Sequence, residues 1–171
     1  MTSLAEKIGV FVDVQNIYYT TRDAFGKSFD YRAFWQRLSS RGNIIIAKAY
    51  AIDRNDESQR KFQNALRHIG FSVHLKPFIQ RADGSAKGDW DVGITIDILE
   101  SLPALDRVFL LSGDGDFDRL VRAVQTKHEL PVEVYGIPEL TADSLKKVAS
   151  CFHPINESLL IQSGHISDSC P

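Results

Sequence analysis

The chain has 171 residues, of which 43% are apolar and 25% charged, and it carries a formal net charge of −2. These are ordinary globular statistics, sufficient for one domain with one sizeable core, and the charge excludes an overall electrostatic footprint for nucleic acid. No apolar stretch approaches the ~18 residues of a membrane span, and Cys151 and Cys170 sit late in the chain, so the sequence reads as a soluble cytoplasmic protein without a disulfide framework.

Along the chain, apolar runs alternate with helical patterns. "IGVFVDV" (Ile8 to Val14) reads as a buried strand, and "DYRAFWQRLSSRG" places Phe34 and Leu38 on helical spacing ahead of Gly42. "NIIIAKAYAI" is a second strand. "NDESQRKFQNALRHIG" follows as a helix capped by Asn55 or Asp56, with Phe62, Ala65, Leu66 and Ile69 on one face and Gly70 as its stop. A third strand, "FSVHLKPFI", leads through the polar loop "QRADGSAKG" to a helix in "DVGITIDILESL". Then come the strand "RVFLLS", the helix "DFDRLVRAVQTKH", the strand "PVEVYGI", a short helix in "TADSLKKVAS" capped by Thr141, and a last strand in "CFHPI". Residues 1–162 form the predicted domain, and 163–171 a polar, disordered tail.

This order predicts an α/β fold, a mostly parallel sheet of five or six strands with helices on both faces. In such sheets ligands bind beyond the carboxyl ends of the strands, where the strand order reverses. A flavodoxin-like order would put the first strand beside the third or fourth.

Acids cluster at those strand ends. Asp13 closes the first strand, Asp89 and Asp91 open the helix of "KGDWDVGITID", and Asp114, Asp116 and Asp118 follow the fourth strand. Helix capping explains a single acid of this kind, through a dipole gain of roughly 0.3–1 kcal/mol. It does not explain Asp13, at a strand end where no helix need be capped. Two carboxylates ~4 Å apart repel by about 4 kcal/mol at an effective dielectric of about 20, so a convergent set must hold a cation or share protons. Oxygen donors without a paired His or Cys set suit Mg²⁺ or Mn²⁺ and phosphoryl chemistry, not zinc.

"FVDVQN", "KGDWDVGITID" and "LLSGDGDFDRLV", in that order, resemble the NYN domain of the PIN-like nuclease superfamily, in its LabA/DUF88 group. The resemblance covers roughly Lys7 to Glu157. It implies a PIN-like three-layer α/β/α sandwich whose aspartates bind Mg²⁺ or Mn²⁺ and hydrolyse phosphodiester bonds, usually in RNA. Carried over motif by motif, the implied catalytic and metal-binding residues are Asp13, Asp91, Asp114 and Asp116. Asn16 is implied to orient Asp13 or a metal-bound water, with Asp89 and Asp118 second to these. Asp97 is expected to make a structural hydrogen bond.

Ser112, beside Asp114, is a candidate to donate a hydrogen bond that fixes a carboxylate, with a simple turn role as the alternative. Between Arg54 and Lys87 seven Lys and Arg face three acids, which leaves the rest of the chain acidic. Arg60, Lys61, Arg67 and Lys87 are the candidates to track a phosphate backbone, with a solvated face as the alternative. Tyr18, Tyr19 and Trp90 flank the acids and are candidates to stack bases, core packing being the alternative. The expected partner is RNA, single-stranded before duplex, with no membrane, and homodimerisation is left open. One alternative is a non-catalytic RNA-binding or regulatory module. A second is a haloacid-dehalogenase-like phosphatase, since "GDGDFD" fits its acid pair, but that chemistry needs an acid where this chain has Gln15.

Overall fold

The first strand, β1 (Lys7–Asp13), is buried from Ile8 onward, and its side chains alternate between two cores as the two-residue period of a strand requires. Ile8, Val10 and Val12 face one core and Phe11 the other. The computed structural model describes residues 5–80, 86–87 and 89–162. After β1 come the helices α1 (Val14–Phe25) and α2 (Tyr31–Ser39), then β2 (Asn43–Asp53), α3 (Glu57–Ile69) and β3 (Ser72–Pro77). A short antiparallel pair, β4 (Ile79–Gln80) and β5 (Ala86–Lys87), takes the last residue of the expected third strand and part of the expected loop. It is followed by α4 (Asp91–Ser101), β6 (Arg107–Leu111), α5 (Asp118–Lys127), β7 (Val132–Gly136), α6 (Asp143–Val148) and β8 (Cys151–Pro154).

The main sheet has six strands, all parallel, in the order β3-β2-β1-β6-β7-β8. The chain thus winds outward from β1 in one direction, crosses back through α4 and winds outward in the other. This is the Rossmann-like order rather than the flavodoxin-like one; the first strand lies beside the fourth of the expected strands, β6, as anticipated, and the switch point lies between the two. The α/β sandwich is as expected. Helices α1, α2 and α3 pack on one face of the sheet through Ile17, Phe34, Leu38 and Leu66. Helices α4, α5 and α6 pack on the other through Ile94, Ile98, Val121, Val124 and Leu145.

Three local expectations change. Helix α1 was not anticipated, because its buried positions are just Val14, Ile17 and Thr21, too sparse for a periodic apolar stripe. It ends at Gly26, whose φ of +65° is the left-handed conformation that glycine adopts freely. Asp56, not Asn55, caps α3; the helix buries Gln63 and Leu66 and leaves Ala65 and Phe62 at the surface. Thr141 does not cap α6. Its hydroxyl donates to the carbonyl of Ile137 at 2.7 Å, and Ala142 holds the cap position. The predicted tail 163–171 lies outside the described residues.

Candidate metal centre

At the switch point the ends of β1 and β6 meet, with Val12 paired to Leu111, so the residues just beyond them share one crevice. Asp13 is 8% exposed there. It does cap a helix after all, contrary to expectation: Oδ1 accepts the Asn16 backbone N–H at 3.4 Å at the start of α1. Oδ2 accepts the hydroxyl of fully buried Ser112 at 3.1 Å, and that hydroxyl in turn accepts the Asp114 backbone N–H at 3.2 Å. Ser112 therefore holds both strand ends. The Asn16 side chain does not reach Asp13; its Oδ1 accepts the backbone N–H of Gly113 at 2.8 Å and ties α1 to the β6 turn.

That turn is tight. A Cβ on Gly113 would stand 2.6 Å from the carbonyl oxygen of Leu140, and one on Gly115 would stand 2.8 Å from the Ala142 Cβ. Only glycine allows this approach of the following loop. Asp114 then caps a 3-10 turn, Gly115–Phe117, by accepting the Asp116 N–H at 2.9 Å. Asp118 is the first residue of α5 and makes no capping bond, so the helix dipole accounts for it.

From the other side of the crevice, α4 begins at Asp91, whose backbone N–H donates to Asp89 Oδ1 at 3.3 Å. Carboxylate oxygens of Asp91, Asp114 and Asp116 all lie within 4.8 Å of one another. Asp89 is exposed at the margin; its carbonyl accepts Lys76 Nζ at 2.9 Å. Asp97 faces away and accepts the Tyr50 hydroxyl at 2.7 Å. Burial pushes the Asp13 carboxyl up to about 6, against the hydrogen bonds from Asn16 and Ser112, and Asp114 and Asp89 add to the rise. Burial also pushes Asp91 up to about 7, with Asp114, Asp89 and Asp13 adding like charge. Among the described residues no Lys or Arg forms an ion pair with these acids, and an oxygen-only donor set fits a hard divalent cation.

The remaining candidates separate by location. Arg60, Lys61 and Arg67 lie exposed on α3, Arg67 bonded to Asn64 at 2.9 Å. The Lys87 backbone pairs with Ile79 in the short hairpin, while its side chain lies outside the described residues. Tyr18 and Tyr19 are exposed on α1. Trp90 follows the packing alternative: its Nε1 donates to the Ala51 carbonyl at 2.9 Å, and Lys76 Nζ sits 4.5 Å from the ring centroid. It braces the start of α4 against β2.

The NYN domain model matches residues 7–157 of this chain. The chain belongs to the NYN domain family. The NYN chain is 26% identical over 159 residues to the low amplitude and bright protein LabA of Synechococcus elongatus, spanning 88% of this chain and 84% of that one. It is 50% identical to the Vibrio parahaemolyticus protein VPA0982, whose crystal structure superposes with a TM-score of 0.89 over 94% of this chain and 99% of the other. In this NYN domain the crevice at the sheet switch point holds an acidic cluster of Asp91, Asp114 and Asp116 next to buried Asp13.

Proposed function

We propose that this NYN domain hydrolyses phosphodiester bonds in RNA, single-stranded in preference to duplex, with Mg²⁺ or Mn²⁺ held by Asp91, Asp114 and Asp116. The observation that carries this reading is the convergence of three carboxylates from two separate elements within 4.8 Å at the sheet's switch point. Asp91, Asp114 and Asp116 would hold a divalent cation, which when bound would lower the pKa of a water and neutralise charge on the phosphoryl oxygens. Asp114 is held by its bond to the Asp116 backbone, and its own N–H is anchored on Ser112, so its carboxylate keeps its place without a ligand. Asp13, engaged on both oxygens by Asn16 and Ser112, fixes the negative wall of the crevice. In the overall step the water oxygen bonds to phosphorus as one P–O ester bond breaks. One water proton passes to a carboxylate, and the departing oxygen is protonated from solvent.

Membership in the NYN family, and Gln15 where a haloacid-dehalogenase-like phosphatase needs its acid, support the nuclease reading over the phosphatase one. The test is Mn²⁺-dependent cleavage of single-stranded RNA, duplex RNA and DNA by the wild type, Asp13→Asn and Asp114→Asn. Cleavage of single-stranded RNA that is lost in Asp114→Asn is expected. Equal activity in all three proteins rejects the nuclease reading, and RNA binding without cleavage favours the regulatory module.

A further inference from the structure

A groove of about 620 Å³ opens beside the metal centre, between α1 and α3 at the carboxyl end of β2. Val14 and Gln15, the two residues after Asp13, line it, so the first turn of α1 separates it from the acids. Its walls are aromatic. Tyr31 packs edge-on against Phe62 at 5.8 Å and against Phe29 at 4.8 Å, while Tyr18 and Tyr19 stand exposed on the α1 side, 49% and 53% accessible.

The side chain that decides the groove's chemistry is Gln63. It lines the groove on the buried face of α3 and is only 4% exposed, yet its amide makes no hydrogen bond among the described residues. No polar side-chain atom of the described residues is both fully sealed from solvent and unpartnered, so the Gln63 amide keeps access to the groove. A purely apolar occupant would strip that amide of water and leave it unpaired, at the cost of a lost hydrogen bond. At the mouth, the Arg54 guanidinium stacks 4.4 Å from the Phe78 ring centroid and forms no ion pair among the described residues.

We infer that this groove binds an unpaired nucleobase of the RNA strand: Tyr18 and Phe62 offer ring faces, Gln63 pairs with the base edge, and Arg54 meets the phosphate. The inference rests on the nuclease reading for the identity of the strand. A base supplies two π faces together with adjacent donor and acceptor atoms, the pattern that a carboxamide matches in a bidentate pair. The volume suits a nucleotide, and a duplex, whose bases are stacked and paired, cannot present one. The base in the groove belongs to a nucleotide flanking the phosphodiester held at the acids, because Asp13 and Val14 are consecutive.

The experiment measures binding apart from cutting. Fluorescence anisotropy in Asp114→Asn, without metal, reads the affinity for short single-stranded RNA homopolymers and for an oligonucleotide with one abasic position. Gln63→Leu in that background is expected to weaken binding about 10-fold and to change the ranking of the homopolymers. Tyr18→Ala, at an exposed site that leaves the core intact, is expected to weaken all of them by about 5-fold or more. Circular dichroism and melting confirm folding of each variant. Affinities unchanged in both variants, or no binding of any oligonucleotide, overturn the inference. If wild type cuts RNA while Gln63→Leu and Tyr18→Ala leave KM and base preference unaltered, the groove fails and the nuclease stands. If base-dependent binding persists in a wild type that never cuts, the groove stands and the nuclease fails.

Discussion

The hydroxyl of Ser112 donates to Asp13 across 99 residues of chain, at 3.1 Å and wholly out of solvent. Because the same oxygen accepts the Asp114 N–H, this one group couples a buried acid to the turn that carries two others. Ser112→Ala should therefore destabilise the domain by about 1–3 kcal/mol, the cost of leaving a buried carboxyl short of a partner. It should also raise the Asp13 pKa further, since the bond favours the ionised form. Urea unfolding and the pH profile of any cleavage measure the two effects.

Mn²⁺ should stabilise the folded protein by about 2.7 kcal/mol at 100 times its dissociation constant, visible as a rise in melting temperature. Asp114→Asn should abolish most of that rise, and Asp118→Asn, at the start of α5 and outside the acid cluster, should keep it. A full Mn²⁺ shift in Asp114→Asn would remove that residue from the metal centre.

Without metal, stability should fall as pH rises from about 4 to 8. Asp13 and Asp91 are pushed up to about 6 and about 7, so over this range the folded state holds protons that the unfolded carboxyls have released. Their contribution is complete below the unfolded carboxylate pKa of about 4 and is lost as pH passes through 6 to 7. Asp13, being buried, contributes at most about 3 kcal/mol, and the share of Asp91 is smaller because water screens it. Denaturant midpoints measured across this range should show the slope in wild type and a flatter one in Asp13→Asn.

At the opposite end of the strands, Glu133 is 3% exposed and accepts both Arg41 nitrogens, at 2.7 and 2.8 Å, and Arg107 at 2.9 Å, with His153 on Oε1. Burial opposes its ionisation, but these partners outweigh that and hold its carboxyl down to about 2. Glu133→Ala should cost about 2 kcal/mol, since it removes charge-assisted hydrogen bonds to Arg41 and Arg107 at once, while both guanidinium groups stay partly solvated and Arg107 keeps Glu6. The Mn²⁺-induced shift in melting temperature should be unchanged, and a change would show that the two ends of the sheet are coupled.

Gly113→Ala should destabilise by about 1–3 kcal/mol, because its methyl would meet the Leu140 carbonyl oxygen at 2.6 Å and a backbone atom cannot swing aside. Thermal melting reads the loss. The displaced turn should also weaken Mn²⁺ binding.

The continuous apolar runs of β1, β6 and β7 and the helical spacing in α5 were legible in the sequence, because burial on both faces of a parallel sheet leaves so strong a pattern. So was the placing of aspartates after strands. Helix α1 was not, since most of its surface is polar and its stability comes from packing through Val14, Ile17 and Thr21. Two features depend on that helix and leave no local pattern either: Asp13 also caps it, and α1 and α3 enclose a groove. Gln63 left a faint signal, a polar residue three positions from Leu66 on the buried face of α3.

The sequence by itself therefore determined an alternating α/β chain with its acids at strand ends, through local periodicity and composition. The motif resemblance ranked Asp91 ahead of Asp89 and Asp118, but only the tertiary structure decided how far the acids converge, with Asp91, Asp114 and Asp116 within 4.8 Å of one another. Asp91 rather than Asp89 joins Asp114 and Asp116, Asp118 stays with its helix, and Asp13 lies buried beside them. The reason is physical: proximity at the switch point depends on β1 pairing with β6, a contact between distant segments whose strand order no local pattern encodes.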